Sequence, residues 1–336
     1  MSVVDRQLSP IIYGCQGTVL TKEEAVFFGQ TQPFGFILFS RNLEKPVQIQ
    51  RLCDDLRNAV GWHAPILIDQ EGGRVSRLGA PHWFEVCAAL DMADHPKSER
   101  VFWLRGRIIA HDLLSCGIDV NCAPVADIAR DHTHAVLQNR CYGRTADQVV
   151  THAQALVDGQ SHGGVAAVVK HIPGHGLATL DSHLALPHVS AGRGALENHD
   201  FKVFRALNAI DMGMTAHLVY DDIDPDHPAT QSATMIDLIR TEIGFSGFLM
   251  SDDISMNALA GDVVTRACAA WAAGCDAVLH CNGDLTEMRN LAENLPKPSK
   301  AVATRMVDAL KNRPTAIPVD IEALKAEFTS LINRVY

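Results

Sequence analysis

Short apolar runs alternate with longer amphipathic stretches along most of this chain. Up to about residue 281, eight such runs carry few polar side chains, which is typical of parallel strands that are buried on both faces. The predicted strands span residues 11–15, 35–39, 65–69, 119–123, 166–170, 212–215, 248–251 and 277–281. Helical patterns between them span residues 21–30, 47–59, 100–115, 146–162, 196–209, 232–241 and 262–273. We therefore predict an α/β protein.

The region after Cys281 has a different pattern. It contains three polar–apolar stretches, which are separated by Pro296, Pro298, Pro314 and Pro318. We predict terminal helices at about 283–336, packed outside a core at about 8–282. The 336 residues exceed the roughly 250 of a bare eight-stranded barrel, but no composition shift or repeat marks a boundary. We therefore predict one domain over residues 1–336.

Polar clusters follow the C-terminal ends of six predicted strands. They are Asp69-Gln70-Glu71-Gly72-Gly73-Arg74, Asn121-Cys122-Ala123-Pro124, Lys170-His171, Ala216-His217, Ser251-Asp252-Asp253 and Cys281-Asn282. Polar groups from many strands meet on one rim in a barrel, whereas an open sheet concentrates them at one switch point. The pattern favours a single (β/α)8 TIM-like barrel with extra C-terminal helices.

Charge and cysteine usage narrow the class of protein. The formal net charge of −10 argues against a nucleic-acid or anionic-membrane partner, since both require basic patches. Residues 1–10 lack the apolar stretch of a signal peptide, and no apolar run approaches the roughly 20 residues that cross a bilayer. The nine cysteines are odd in number and form no CxxC pair, which indicates reduced thiols. We expect a cytoplasmic protein.

The pair Asp252-Asp253 is a candidate for catalysis, because it directly follows an apolar strand. A carboxylate at a rigid strand end suits a nucleophile that must be positioned closely. Asp is also a preferred N-cap residue, so one of the two can cap the next helix instead. We favour Asp252 as the catalytic group, because it is nearer the strand.

The loop after the fifth strand is rich in Gly, Pro and His. It reads Lys-His-Ile-Pro-Gly-His-Gly at 170–176 and continues to Asp181-Ser182-His183. Asp181 can orient the imidazole of His183, and a pKa near about 6.5 suits general acid–base catalysis at neutral pH. Zinc ligation by His171, His175, Asp181 and His183 is the alternative, but the spacing matches no recognised zinc pattern.

Asp69 and Glu71 form a further pair of carboxylates at a strand end. They can serve as acid and base, or Asp69 can bind hydroxyl groups while Glu71 supports the turn at Gly72-Gly73. The residues alone leave both interpretations open. Cations near the predicted rim indicate a ligand with a carboxylate or several oxygen acceptors. They are Arg74, Arg77, Arg140 and Lys170.

Four segments resemble glycoside hydrolase family 3, specifically the single-domain bacterial β-N-acetylhexosaminidases of peptidoglycan recycling. They lie in the order of the family, and the similarity extends from about Gly14 to Asn282. The pattern Lys-His-x-Pro-Gly-His-Gly followed by Asp-Ser-His marks the N-acetylglucosaminidase branch. The matching segments span residues 68–75, 170–176, 181–187 and 248–256.

The resemblance implies a role for each matching residue. Asp252 would be the nucleophile, and His183, polarised by Asp181, would be the acid/base. Glu71 would have no catalytic role, and neither a metal nor another cofactor would be required. Ile172 stands where Phe is common, and Cys141-Tyr142 stands where Ala-Phe is usual, which could reshape the pocket wall. Residues implied to bind N-acetylglucosamine are Asp69, Arg77, Arg140, Lys170 and His171.

The implied reaction is a double displacement that retains the β configuration. The implied substrate is β-1,4-linked N-acetylglucosamine–1,6-anhydro-N-acetylmuramic acid, with or without its stem peptide, and we expect a monomer. Three alternatives stay open: a phosphate-dependent phosphorylase at the same site, a metal-dependent barrel hydrolase, and a non-catalytic sugar-binding or sensor protein. An intact set of nucleophile and acid/base argues against the last.

Overall fold

A computed structural model describes residues 6–180 and 186–333 of the chain. The strands are β1 (Ser9–Gly14), β2 (Pro33–Leu38), β3 (Ile66–Ile68), β4 (Val120–Asn121), β5 (Ala166–Ile172), β6 (His188–Val189), β7 (Met212–Thr215), β8 (Val219–Tyr220), β9 (Phe248–Asp253) and β10 (Ala277–His280). All strands except β6 and β8 form one parallel sheet, which closes through pairing of β1 with β10. β6 and β8 pair separately. The predicted closed barrel is confirmed.

Helices follow the barrel strands and surround them. Their bounds are α1 (Lys22–Thr31), α2 (Pro46–Val60), α3 (Ser98–Ser115), α4 (Ala135–Gln138), α5 (Ala146–His162), α6 (Arg193–Asn198), α7 (Asp200–Ala206), α8 (Ala233–Thr241), α9 (Val263–Ala273), α10 (Leu285–Asn294), α11 (Lys300–Lys311) and α12 (Ile321–Ile332). The last three are the predicted terminal helices. The single helix predicted at 196–209 is instead two helices, because the backbone leaves helical geometry at His199 (φ −122°, ψ −81°).

Side-chain hydroxyls and carboxylates fix where several helices begin. Thr21 accepts from the backbone N–H of Glu24, whose carboxylate in turn accepts from the N–H of Thr21, forming a capping box. Single side-chain caps of the same kind begin the helices after Thr145, Ser232, Asp262, Asp284, Ser299 and Asp320. The polar residues between the predicted elements are therefore helix start signals.

The core has two layers, one inside the barrel and one between the barrel and its helices. Because successive side chains of a strand point to opposite faces, Ile12 of β1 packs inside whereas Ile11 and Tyr13 pack outside. Inside the barrel, the rings of Phe34 and Phe248 stack with centroids 4.3 Å apart. This double burial explains why the strands are continuous apolar runs.

Two glycines let α3 and α5 pack closely against each other. A Cβ atom on Gly106 would lie 2.3 Å from the carbonyl oxygen of Leu156, and one on Gly159 would lie 2.2 Å from that of Trp103. The close approach holds α3 at a fixed place on the barrel. From α3, the buried Arg105 donates to the carbonyl oxygens of Cys87 (2.7 Å) and Glu71, and so supports the loop after β3.

Two further observations bear on the sequence predictions. All nine cysteines lie in the described part of the chain and are free thiols. Within residues 6–180 and 186–333, no helix combines the length and apolar character needed to cross a bilayer.

Candidate active site

A cavity of about 510 Å³ opens at the C-terminal ends of the barrel strands. Its lining includes residues from the loops after β3, β5 and β9, as the polar clusters predicted. Asp181 and His183, the predicted acid/base pair, lie outside the described residues. The predicted rim residues that line the cavity are Asp69, Glu71, Arg74, Arg77, Arg140, Lys170, His171, Asp252 and Asp253.

The two adjacent aspartates at the end of β9 have different surroundings. Asp253 accepts from the backbone N–H of Ser255 (3.0 Å), its hydroxyl (2.6 Å) and the N–H of Cys281 (3.2 Å), so its carboxylate is engaged in holding the turn. Within the described residues, the Asp252 carboxylate accepts one hydrogen bond, from the N–H of Asp253 to Oδ1 (2.8 Å). Oδ2 of Asp252 is therefore the carboxylate oxygen left for a ligand.

The charge state of Asp252 follows from its surroundings. Burial alone would raise the pKa of Asp252, but the charges of His217 and His171 lower it, and the net pKa lies below its ordinary value. Asp252 is consequently ionised at neutral pH, as a nucleophile must be.

A buried chain of polar groups supports the end of β9. His217 contacts Thr230 Oγ1 through Nδ1 (2.7 Å) and the carbonyl oxygen of Asp253 through Nε2 (3.0 Å). Since a carbonyl only accepts, Nε2 carries the proton. Thr230 is in turn 2.8 Å from Thr215 Oγ1. Burial lowers the pKa of His217, and its hydrogen bonds make the ring a support for the strand that carries Asp252. The sequence pattern predicted His217 at a strand end but indicated no role for it.

An ionic network lines another part of the cavity. Lys170 Nζ lies 2.8 Å from Asp69 Oδ1 and 2.7 Å from Glu71 Oε1. Arg140 donates to Glu71 twice, from Nε to Oε2 (2.8 Å) and from Nη2 to Oε1 (2.9 Å). Arg77 Nη2 is 3.6 Å from Asp69 Oδ2. The carboxylates at 69 and 71 therefore face one cation, as their spacing suggested.

Glu71 is held as an ionised carboxylate in this network. Burial alone would raise the pKa of Glu71, but the charges of Arg140 and Lys170 hold it well below its usual range. The same pairing raises the pKa of Lys170. Glu71 therefore anchors the two cations, which contradicts the alternative that it acts as an acid or base.

A further carboxylate, Asp127, was not predicted from the sequence. Its Oδ2 is 2.7 Å from His171 Nδ1, and its Oδ1 accepts the backbone N–H of His175 (2.6 Å). Burial lowers the pKa of His175 to about 4, so that ring is neutral at pH 7. A single acidic residue inside the apolar stretch 123–129 was the available signal, since a buried carboxylate requires partners.

The zinc hypothesis concerns four residues, two of which, Asp181 and His183, lie outside the described part of the chain. Within residues 6–180 and 186–333, no group of three or more His, Cys, Asp or Glu side chains is arranged to hold a metal ion. Of its four residues, His171 and His175 lie within this part of the chain, with ring centroids 5.6 Å apart.

The chain and its fold match known glycosidases. Residues 18–313 match the family described as Glycosyl hydrolase family 3 N terminal domain. A Beta-hexosaminidase of Alkalilimnicola ehrlichii is 38% identical over 319 residues, covering 91% of this chain and 90% of that protein. A Beta-hexosaminidase of Pseudomonas aeruginosa is 35% identical over 270 residues, covering 79% and 80%.

A solved structure shows the same architecture. NagZ from Neisseria gonorrhoeae, in complex with N-trifluoroacetyl-D-glucosamine, is similar with a TM-score of 0.87 at 29% identity, covering 97% of this chain and 98% of that one. The resemblance first suggested by the sequence motifs is confirmed. The chain belongs to glycosyl hydrolase family 3, within its β-hexosaminidase group.

Proposed function

We propose that the chain is a retaining exo-β-N-acetylglucosaminidase of peptidoglycan recycling. Its substrate is N-acetylglucosamine β-1,4-linked to 1,6-anhydro-N-acetylmuramic acid, with or without stem peptide. The observation that carries the proposal is Asp252, which presents an ionised carboxylate to a cavity of about 510 Å³ and, among the described residues, has one oxygen without a hydrogen-bond partner. The relatives that are Beta-hexosaminidases, and the binding of N-trifluoroacetyl-D-glucosamine by NagZ, support the choice of sugar.

In the first step, Asp252 Oδ2 attacks the anomeric carbon while protonated His183 gives its proton to the leaving oxygen. A covalent glycosyl–aspartate ester forms, and the aglycone leaves as an alcohol. Neutral His183 then takes a proton from water, whose oxygen attacks the same carbon and releases Asp252 as a carboxylate. Asp181 orients the imidazole. The roles of Asp181 and His183 rest on their match to the family motif.

The N-acetylglucosamine is held by Asp69, Arg77, Arg140, Lys170 and His171. Lys170 and Arg140 contact carboxylates but keep further N–H donors that are available to the sugar. Lys170 has three N–H donors and two carboxylate neighbours, and within the described residues Arg140 Nη1 has no hydrogen-bond partner. Such fixed donors, already oriented before the sugar enters, favour binding at low entropic cost.

The cytoplasm is the proposed location, because peptidoglycan fragments are recycled there and nine free thiols suit a reducing compartment. We propose a monomer whose partner is the saccharide itself.

Hydrolysis of an aryl β-N-acetylglucosaminide by wild type, Asp252→Asn and His183→Ala tests the mechanism. Asp252→Asn should lower kcat by at least about 10³-fold, because an amide is a poor nucleophile. His183→Ala should mainly slow substrates with poor leaving groups, because a good leaving group needs little protonation. NMR of the first-formed sugar should show the β anomer, and an active Asp252→Asn enzyme or an initial α anomer would refute the mechanism.

The neighbouring aspartate is the matched control. Asp253→Asn keeps an oxygen to accept the two backbone N–H groups and loses the acceptor for the Ser255 hydroxyl. We expect a lower Tm and retained turnover from this variant. Repeating the assay with and without inorganic phosphate separates hydrolysis from phosphorolysis. If sugar is released only when phosphate is present, and as a sugar 1-phosphate, the reaction is phosphorolysis rather than hydrolysis.

The substrate class is tested with the anhydro disaccharide and its peptide-bearing form. Mass spectrometry should detect free N-acetylglucosamine from both. Cleavage of the aryl glycoside with no cleavage of either fragment would support the glycosidase activity but refute the proposed recycling substrate.

A further inference from the structure

We propose that Asp127 is a positioning residue that fixes the proton of His171 and the start of the loop beyond it. The carboxylate is fully buried, and each of its oxygens contacts a different part of one segment, the side chain of His171 and the backbone of His175. Asp127 is neither a catalytic nor a sugar-binding residue in the proposed function. The predicted effect on activity rests on the proposed function, in which His171 binds the sugar.

The backbone brings Asp127 to this place. Residues 124–126 extend the pairing between β4 and β5 past the end of β4. The N–H of Lys170 donates to the carbonyl of Pro124 (3.0 Å), and the N–H of Ala126 donates to that of Lys170 (2.7 Å). Asp127 and His171 follow these paired residues on adjacent strands, so the carboxylate meets the imidazole across the extended ladder.

The identity of the acceptor determines where the imidazole proton lies. Burial alone would raise the pKa of Asp127, but the charge and hydrogen bond of His171 lower it, so the group is an ionised carboxylate. An ionised carboxylate only accepts hydrogen bonds, so His171 Nδ1 must carry a proton. Nε2 is the remaining nitrogen of this cavity-lining ring. When His171 is neutral, Asp127 therefore selects the tautomer that the ring offers to the sugar.

The second oxygen of Asp127 belongs to a set of contacts beneath the loop. Close to the bond from His175 to Asp127, Thr133 Oγ1 donates to the carbonyl of Gly176 (2.5 Å), and the N–H of His134 donates to that of Ala178 (3.2 Å). Residues 174–178 thus rest on residues 127–134. This support therefore belongs to the described part of the loop, up to Ala178.

Asp127→Asn separates positioning from simple burial. The Asn oxygen replaces Oδ1 and still accepts the N–H of His175, which leaves the Asn amide group facing His171 Nδ1. Since an amide N–H donates, Nδ1 must become an acceptor and the proton must move to Nε2. The variant preserves shape and changes one proton position.

Nitrogen NMR of ¹⁵N-histidine-labelled protein at pH 9 reads the tautomer directly, with His171 assigned by its absence in His171→Asn. We expect Nδ1 to be protonated in wild type and bare in Asp127→Asn. The kcat/KM for an aryl β-N-acetylglucosaminide should fall about 10- to 100-fold, as for other residues that orient a functional histidine. Asp112→Asn is the control, a buried aspartate on α3 that accepts one backbone N–H, from Phe84 (3.1 Å), and should change neither readout.

A second comparison works even if Asp127→Asn does not fold. The amide nitrogen of Asn occupies the place of His Nδ1, whereas that of Gln occupies the place of Nε2. His171→Asn should therefore keep the bond to Asp127 and have a higher Tm than His171→Gln. An Nδ1 that is bare in wild type, an Nδ1 protonated in both wild type and Asp127→Asn, or equal Tm values for the two His171 variants would overturn the inference. A wild type that has the expected tautomer but does not cleave β-N-acetylglucosaminides would refute the proposed function alone.

Discussion

Replacing Glu71 with Gln removes one negative charge from the wall of the cavity while keeping the length of the side chain. Glu71 is buried, and its two oxygens receive three contacts of 2.7–2.9 Å from Arg140 and Lys170. After the substitution, Asp69 is the remaining carboxylate in the network, and it is shared with Arg77. The buried Lys170 and the partly buried Arg140 then compete for less negative charge.

The cost follows from the burial of this network. Removing one partner of a buried ion pair destabilises a protein by about 3–5 kcal/mol, because the other charge stays buried without compensation. An unfolding entropy of roughly 2.1 cal/mol/K per residue gives about 0.7 kcal/mol/K for 336 residues. We therefore expect Tm to fall by about 4–7 °C.

Thermal unfolding and steady-state kinetics at pH 7 measure the two consequences. The kcat/KM for an aryl β-N-acetylglucosaminide should fall at least about 10-fold, since the two cations that we propose to bind the sugar lose their anchor. Glu24→Gln is the matched control, because Glu24 is equally buried but accepts from the N–H of Gln16 and from Thr21 rather than from cations. It should cost about 1–3 kcal/mol and leave kcat/KM unchanged.

The pH dependence gives an independent check. The folded pKa of Glu71 lies far below its ordinary value of 4.5, so its ionisation stabilises the fold fully above that value. This stabilisation decreases as the pH falls from about 4.5 toward the folded pKa. The Tm difference between wild type and Glu71→Gln should therefore be constant above about pH 5 and narrow in acid. A difference under about 1 °C at pH 7, or one that widens in acid, would refute the reasoning.

Three further substitutions have distinct expected outcomes. Asp276→Asn should lower the free energy of unfolding by about 3–5 kcal/mol without changing KM, because Asp276 is a buried partner of two arginines and lies outside the cavity lining; denaturant unfolding and kinetics measure this. Gly106→Ala should lower Tm without changing KM, because its Cβ would lie 2.3 Å from the carbonyl of Leu156, and an unchanged Tm would contradict the close packing. Thr230→Val should destabilise by about 1–3 kcal/mol and lower kcat, because His217 Nδ1 loses its partner; equal kcat would show that the buried chain does not position β9.

Local pattern was sufficient to predict most elements of the fold. The strand Met212–Thr215 and the helix Ala146–His162 have the bounds that were predicted, because burial on both faces or on one stripe leaves its period in the sequence. The barrel followed from polar clusters after many strands. The break in the helix predicted at 196–209 had no local signal. The break depends on tertiary contacts, since Asp200, the first residue of α7, is buried and forms an ion pair with Arg130 of a distant loop.

The candidate site was likewise predicted only in part from the sequence. Asp252 was preferred over Asp253 from strand position, and the structure supports that preference by engaging Asp253 in the turn. The one-domain prediction for residues 1–336 and the roles of Asp181 and His183 remain predictions from pattern and motif. Asp127 was not predicted as a site residue, although a lone acidic residue within the apolar stretch 123–129 was a signal in the sequence.

The sequence by itself determined the alternation of elements, the barrel, the family and the polar residues that gather at its rim. Only the tertiary structure decided which of those residues hold one another. Asp127 and His171 are 44 positions apart, Glu71 and Arg140 are 69 apart, and Asp69 and Lys170 are 101 apart. Periodicity reports whether a side chain faces the core, but it carries no information about its partner. Such partners are set when the strands close into a ring and bring distant residues within hydrogen-bond distance.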